Sequence, residues 1–287
     1  MAAHDSSALP HACAYPTAWR IVGGALVAVS RASLPLIGLG VLTADEPVPL
    51  VVLVRALLIG ALLPAVAAFL IERACTADVE VHPTELVIRG RGLRMEIPRT
   101  AVAAIVPWTV PLPGPGFALR MQSGRRFSHG LQAADPTPLL SALSASTRID
   151  AAGAATRHPN LVYAHAKRSG RRWRWYHLLF KFVLFALVPT AVWFNAHQHI
   201  AYGGLLGQYY LEGLGPYLKT FLISWSLAAI YLLLYASVWR AAAEGIALLA
   251  AWVAPAHALR ARRAVEIACR AVYYAGVPLL VLLPFLR

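Results

Sequence analysis

Two arginines lie inside long apolar segments, where a charged side chain is energetically costly and therefore requires an explanation. Arg31 falls at the middle of the apolar segment 21–42, and Arg55 falls in the first half of the segment 47–71. A charge at the centre of a bilayer costs roughly 2.5–3.5 kcal/mol on insertion scales, so both groups are expected to face protein, water or an anionic ligand. Because Arg binds phosphate and carboxylate through paired hydrogen bonds, the two residues are a candidate site for an anionic headgroup.

The same two arginines also have a structural explanation. An acid elsewhere in the chain, such as Glu212 or Glu244, can neutralise either of them. Arg55 can instead extend its side chain toward the nearer headgroups. The sequence leaves these explanations open.

A histidine pair, His197 and His199, follows the third apolar segment. Zinc-type ligands must converge on one point. Residues two apart share a face in an extended loop but not in a helix. Glu212 is the only acid in the loop that follows, so no third ligand is evident nearby. The pair is a candidate metal site, and the alternative is hydrogen bonding to Tyr202, Tyr209 or headgroups.

Other signatures of catalysis are missing from the sequence. It contains no nucleophile-elbow motif, no zinc-protease motif and no phosphate-binding loop. The cysteines Cys13, Cys75 and Cys269 are scattered, which favours free thiols over a disulfide or a zinc site. We predict no cofactor, and we favour a function other than catalysis.

The elements that must position these residues are mostly apolar. The chain is 59% hydrophobic and 14% charged, whereas soluble domains carry about 25% charged residues. Its mean hydropathy is +0.59. Four apolar segments are long enough to cross a membrane and a fifth is marginal; they are 21–42, 47–71, 177–196, 217–239 and 271–286.

Basic residues set the expected orientation. The net charge is +13, and the arginines cluster beside the apolar segments, which indicates a membrane surface rather than nucleic acid. The polar insert after the second segment carries Arg89, Arg91, Arg94, Arg99, Arg120, Arg125 and Arg126. The positive-inside rule therefore places residues 74–176 in the cytoplasm, with the chain crossing the membrane several times.

This orientation divides the chain into five parts. We predict a cytoplasmic tail (1–20), a transmembrane hairpin (21–73), a cytoplasmic domain (74–150), a basic juxtamembrane linker (151–176) and a C-terminal membrane domain (177–287).

The cytoplasmic insert alternates like a set of short strands. The alternation predicts Val79–His82, Leu86–Arg89, Leu93–Ile97, Phe117–Met121 and Arg126–His129 as strands, with a helix in Ala133–Ser146 capped by Asp135. With Met95–Pro98, Ile105–Trp108 and Ser123–Phe127, the stretch 78–145 resembles the bacterial PH-like domain of small membrane proteins. The resemblance implies a multi-pass protein of a bacterial inner (plasma) membrane, with binding to a partner or to the membrane surface and no enzyme activity.

A basic and aromatic run precedes the third apolar segment. It consists of Lys167, Arg168, Arg171, Arg172, Trp173, Arg174 and Trp175. Such a run is typical of the cytoplasmic interface, where it contacts anionic headgroups. It predicts a membrane-surface contact and not a nucleic-acid site.

The predicted fold class is an α+β membrane protein with four to five transmembrane helices and an inserted, small, β-rich PH-like cytoplasmic domain. The preferred function is an anchor, scaffold or accessory subunit that binds a protein partner or a second copy of itself. The alternative is a transporter or lipid-handling protein that uses Arg31 and Arg55, and a membrane enzyme ranks third. A water-accessible cavity lined by these arginines and His197 or His199 would favour the alternative.

Overall fold

The computed structural model describes residues 7–145, 155, 157–169 and 175–286. It is a mixed fold with one antiparallel seven-stranded sheet and, among the described residues, four helices long and apolar enough to cross a membrane. The chain divides into two compact units. The sheet unit comprises Met1–Arg31, Gly60–Gly170 and Glu244–Arg263, and the helical unit comprises Ala32–Ile59, Arg171–Ala243 and Ala264–Arg287.

The sheet has the strand order β4-β3-β2-β1-β7-β6-β5. Its strands are β1 Ser7–Pro16, β2 Thr76–Val81, β3 Glu85–Gly90, β4 Leu93–Pro98, β5 Val102–Pro107, β6 Gly116–Met121 and β7 Arg126–Gln132. The tight turns after β3 and β6 use Gly92 and Gly124, which have φ of 68° and 78°. Only glycine adopts such angles without steric cost, which explains the Gly-rich turns.

One face of the sheet holds the core of this unit. Val79, Leu86 and Ile88 on neighbouring strands are buried there, as period-two alternation requires. The helix α3, Thr137–Ala145, covers this face with Leu139, Leu140 and Leu143. The Asp135 carboxylate accepts a hydrogen bond of 3.0 Å from the Thr137 amide at the start of α3. The predicted helix start is thus close to the observed one.

The residues predicted to form a tail, 1–20, include the central strand of the sheet. β1 pairs antiparallel with β2 and with β7, and Ala12 and Ala14 face the core. Pro10 obscured this strand, because proline cannot donate to a ladder and is confined to edges and bulges. The register of β1 against β2 shifts between Leu9 and Ala12, so Pro10 lies at such an irregularity.

Arg99, one of the insert arginines counted for the positive-inside rule, is buried in the sheet unit. Its guanidinium donates to the carbonyl oxygens of His82 at 3.2 Å and Leu143 at 2.7 Å. Burial lowers the pKa of Arg99 below its ordinary value. A cation at the carboxyl end of α3 is favourable because the last carbonyls of a helix carry partial negative charge.

The first two of the four long helices start and end close to the predicted segments, whereas the third and fourth extend past the predicted ends 196 and 239. The four helices are α1 Thr17–Leu42, α2 Leu50–Ala74, α5 Tyr176–Tyr202 and α7 Leu214–Val253. π-helical segments occupy Leu57–Leu62 in α2 and Phe180–Leu184 in α5. Three further helices are α4 Pro159–Arg168, α6 Gly207–Glu212 and α8 Ala258–Leu286.

Three stretches differ from their predicted form. The stretch 159–168, predicted as linker, forms α4. α5 continues to Tyr202, through residues predicted to lie in a loop, because helix-compatible residues run on to Gly203, which ends the helix with φ of 74°. The marginal segment 271–286 is the second half of α8, which begins at Ala258. The stretch 244–253, which lies beyond the predicted fourth segment, continues α7.

Candidate functional site

A buried ion pair lies at the end of α7, inside the sheet unit. The Glu244 carboxylate accepts from both terminal nitrogens of Arg262 in α8, at 3.1 and 3.3 Å. The Arg262 side chain is only 5% exposed and that of Glu244 is 24% exposed. This two-bond geometry matches the planar guanidinium to the planar carboxylate, and it fixes the relative orientation of the two helix ends.

α4 brings two further donors to the same carboxylate. The Tyr163 hydroxyl donates to Glu244, and the Lys167 ammonium lies 3.8 Å from it. The Arg262 guanidinium also lies 5.9 Å from the centre of the Tyr163 ring. Burial, reinforced by the hydrogen bond to Glu244, raises the pKa of Tyr163 above its ordinary value. We name Tyr163, Lys167, Glu244 and Arg262 the Glu244 joint.

α4 is in turn fastened to the sheet. The Asn160 side-chain amide donates to the carbonyl oxygens of Trp108 and Thr109, and Leu161 enters the core. His158 caps the helix, because its Nδ1 accepts a 3.3 Å hydrogen bond from the Asn160 amide. Burial lowers the pKa of His158, which favours the neutral ring that this cap requires. α4 therefore links the sheet to the ends of α7 and α8.

The Glu244 joint is suited to holding elements together rather than to catalysis. A general base needs a carboxylate whose pKa is matched to proton transfer and that can reach a substrate. The Glu244 carboxylate instead accepts from Tyr163 and Arg262. From the sequence, Glu244 was considered only as a partner for Arg31 or Arg55. No sequence pattern pairs it with Arg262, because 18 residues and the break around Pro255 separate them.

A second feature of the sheet unit is a groove of about 460 Å³ at the start of α1 and the end of α2. Its wall includes Trp19, Ile71 and Cys75, and Arg91 and His129 contribute its polar groups. Ligand sites commonly enclose 300–1,000 Å³ and are mostly apolar with a few polar groups. Burial lowers the pKa of His129, which favours a neutral ring beside this groove.

Beside the groove, two cysteines pack with aromatic side chains. Cys13, Tyr15 and Trp108 form a buried cluster, against which Ile71 and Cys75 also pack. Burial and the nearby charge of Glu72 raise the pKa of the Cys13 thiol from 9.0 to about 11. A thiol with so high a pKa is a poor nucleophile near neutral pH. The structure thus gives Cys13 a packing role, in keeping with free thiols.

The two intramembrane arginine candidates lie on exposed surfaces of the long helices. Arg31 in α1 and Arg55 in α2 are each exposed. Within the described part of the chain, neither side chain makes a hydrogen bond or an ion pair. The acids nominated as partners are engaged elsewhere: Glu244 with Arg262, and Glu212 with Gln208. The headgroup hypothesis for this pair therefore stays a prediction.

The histidine pair lies in a helix rather than in a loop. His197 and His199 belong to α5 and are both exposed, so their side chains point to nearly opposite faces. Among the residues that the structure describes, no group of three or more histidines, cysteines or acids could hold a metal ion. His197 contacts the Tyr202 ring, with the ring centres 6.1 Å apart.

The residue between the histidines was missed in the sequence. Gln198 is completely buried, and its side chain exchanges two hydrogen bonds with Gln208, at 2.9 and 3.3 Å. Gln208 also donates to Glu212 at 2.9 Å and to Thr220 at 3.1 Å. These bonds tie α5, α6 and α7 together, because a buried amide must find partners for its donors and acceptors.

The predicted membrane-surface run is described only in part. Lys167 and Arg168 end α4 and are exposed, and Lys167 also serves the Glu244 joint. Arg171, Arg172, Trp173 and Arg174 lie outside the described residues. Trp175 begins the short helical stretch Trp175–Leu179.

Comparison of the chain with protein families, with curated proteins and with solved structures finds no match.

Proposed function

We propose that the chain is a multi-pass protein of a bacterial inner membrane that displays its PH-like sheet domain on the cytoplasmic side. There it acts as an anchor, scaffold or accessory subunit for a protein partner. One observation carries this proposal: β1, which precedes the first long helix, pairs directly with β2, which follows the second. A chain that leaves and re-enters the same sheet must cross a membrane an even number of times.

The two helices between these strands, α1 and α2, form a hairpin whose two ends adjoin the sheet. The Ala14 amide, before α1, donates to the Cys75 carbonyl, after α2, at 2.9 Å, so the two ends of the hairpin lie side by side. Farther out, the Ser30 hydroxyl donates to the Ala61 carbonyl at 2.8 Å. The two helices thus meet both at their bases, through Ala14 and Cys75, and near their middles, through Ser30 and Ala61, as in an antiparallel pair. This arrangement supports two spans, with the start of α1 and the end of α2 both on the side of the sheet.

The same argument applies to the second pair of long helices, α5 and α7. The chain leaves the sheet unit after α4, and it returns to that unit at Glu244, near the end of α7. α5 and α7 therefore make one excursion that begins and ends on the side of the sheet. This reasoning supports four spans; the second half of α8 also belongs to the helical unit and contains the marginal fifth segment. The excess of arginine in the insert then supports the cytoplasm as that side.

The character of the cavities favours an anchor over a transporter. A transporter requires a water-accessible path lined by groups that recognise its substrate. Two cavities formed by described residues, the groove at the start of α1 and a smaller one between α5, α7 and α8, are not lined by Arg31, Arg55, His197 or His199. The polar groups of the Glu244 joint and around Gln198 are satisfied within the chain, as in a structural framework.

Site-specific labelling tests the topology. Single cysteines placed at Asp45, Ser123 and Gly204, in a background with the native cysteines replaced by alanine, report the α1–α2 turn, the β6–β7 turn and the α5–α6 turn. We expect a membrane-impermeant maleimide to label Asp45→Cys and Gly204→Cys in intact spheroplasts. Ser123→Cys should react only after permeabilisation. Labelling of Ser123→Cys in intact spheroplasts would overturn the proposed orientation.

Purification from detergent tests the anchor role. We expect the full-length protein to retain a second protein or a second copy of itself at fixed stoichiometry. Because β1 lies in the middle of the sheet, removing only residues 78–146 would leave an unpaired strand. The domain surface is instead probed with Arg94→Glu, which reverses one charge on the exposed edge strand β4 and removes no strand from the sheet. A protein that is monomeric with lipid alone would contradict the scaffold function.

A further inference from the structure

The helical unit contains a small cavity with an unusual charge. About 60 Å³ in volume, it is bounded by side chains of α5, α7 and α8. Its charged lining residues are Lys181, Arg240, Arg270 and Glu266, which give a formal charge of +2. Three cations around one recess repel one another unless an anion offsets them. The recess therefore keeps a net positive charge when its one carboxylate, Glu266, is counted, and this charge attracts an anion.

One of the three cations, Lys181, packs against an aromatic ring. The Lys181 ammonium lies 4.0 Å from the centre of the Tyr273 ring, and Tyr273 is only 1% exposed. The Tyr273 hydroxyl donates to the Lys181 carbonyl at 3.0 Å, which fixes the ring against α5. A cation over an aromatic face is attracted by the ring quadrupole. The position of this ammonium is therefore set before any ligand arrives.

The position of the cavity along the helices matches the level of lipid headgroups. Arg240 is one turn before Glu244, where α7 returns to the sheet unit, and Lys181 lies near the start of α5. Trp239 lines the cavity and is partly exposed, and tryptophan is enriched at membrane interfaces. Basic recesses between helices on this side of a membrane are suited to anionic lipid headgroups.

We propose that the Lys181–Arg240–Arg270 recess binds a single phosphate group that carries a net negative charge, as in the headgroup of an anionic phospholipid. The volume decides the class of ligand, because sites for whole metabolites enclose roughly 300–1,000 Å³. Only a headgroup-sized anion enters 60 Å³. The two guanidinium groups contact its oxygens, and its remaining parts stay outside. This inference rests on the proposed membrane location, and it uses residues other than Arg31 and Arg55.

Native mass spectrometry of the full-length protein in detergent tests the recess. Phosphatidylglycerol and phosphatidylcholine are titrated separately, and the number of lipids retained per chain is counted. We expect one phosphatidylglycerol to be retained at concentrations where phosphatidylcholine is lost. The double variant Arg240→Gln/Arg270→Gln should bind it about 25-fold more weakly, a factor of about five for each arginine. Both arginines are exposed, so the variant should fold.

A matched control removes the same charge from elsewhere on α8. Arg260 and Arg263 are exposed and lie outside the recess. Arg260→Gln/Arg263→Gln should weaken retention by less than about threefold, since only general attraction is lost. Equal losses in the two double variants, or equal retention of both lipids by the native chain, would refute the site. Arg270→Glu provides a second test, because reversed charge should abolish retention without altering the helix.

Inorganic phosphate distinguishes the source of the anion. If millimolar phosphate displaces phosphatidylglycerol, the recess takes a soluble phosphate; if it does not, the ligand is the lipid. Either result supports the site, whereas failure of both ligands to bind overturns it. The labelling of Ser123→Cys is independent of this measurement. A wrong membrane orientation and a wrong lipid site therefore give different results.

Discussion

Replacing Arg262 by glutamine tests whether the Glu244 joint holds α4 to the ends of α7 and α8. The substitution removes two charge-assisted hydrogen bonds, of 3.1 and 3.3 Å, from a guanidinium that is almost fully buried. Each such bond contributes about 1.5–3 kcal/mol net. Glu244 is partly exposed and keeps Tyr163 and Lys167 as partners, so solvent and these donors recover part of the loss. We expect a net destabilisation of about 2 kcal/mol.

Amide hydrogen exchange measures this loss where it occurs. A cost of about 2 kcal/mol raises the equilibrium constant for local opening about 30-fold. The backbone amides of residues 160–168 in the full-length protein should therefore exchange about 30-fold faster in Arg262→Gln. The adjacent Arg263 is exposed, so Arg263→Gln loses the same charge without breaking a pair. Its exchange should stay within about twofold of the native rate.

The comparison of these neighbouring arginines gives a clear refutation. Exchange at the native rate in both variants would mean that the Glu244 joint contributes nothing to holding α4. Equally fast exchange in both variants would mean that the loss of overall charge, and not of the ion pair, is the cause. The double variant Tyr163→Phe/Arg262→Gln should lose less than the sum of its single variants, because both donors serve one carboxylate.

Three further predictions concern the sheet unit. Gly130→Ala should destabilise it by about 1–3 kcal/mol in thermal unfolding, because the added Cβ would lie 2.7 Å from the Trp108 ring. Cys13, with its pKa raised from 9.0 to about 11, should be alkylated about 100-fold more slowly at pH 8 than an ordinary thiol. Stability contributed by His158 should be present above pH 6.5 and lost as the pH falls below it, because the neutral ring is favoured in the fold.

Each of these has its own control. Gly245→Ala in α7 adds a Cβ with no atom within 4 Å and should be neutral or slightly stabilising, so similar losses at both glycines would contradict the packing argument. For Cys13, alkylation is followed with the other cysteines replaced by alanine, and a rate that does not rise from pH 8 to 10 would refute the raised pKa. For His158, the variant His158→Asn supplies an uncharged cap. If its pH profile matches the native one, His158 is not the titrating group.

Much of the layout followed from the sequence. Long apolar segments have one physical solution in lipid, so their number and approximate bounds could be predicted from hydropathy alone. The alternating insert, with turns at Gly92 and Gly124, gave most of the strands, since period-two burial and positive φ are local properties. The lack of catalytic signatures could also be seen in the sequence, because those signatures are short and local.

The tertiary structure decided how distant residues meet. Pro10 makes β1 look unlike a strand, and only pairing with β2 and β7 shows its central place. The partner of Glu244 is separated from it by a helix break, and Gln198 has its partner across a turn. Such pairs depend on which surfaces are buried together, because a buried charge or amide takes whichever partner the packing brings within reach.

For the charges in the apolar helices, too, one part follows from the sequence and another only from the tertiary structure. The sequence by itself determined that Arg31 and Arg55 are costly in a membrane, because that cost depends only on residue type and depth. It could not determine that Lys181, Arg240 and Arg270 surround one recess, since they come from three helices far apart along the chain. Convergence of charge is a property of packing, and only the tertiary structure supplies it.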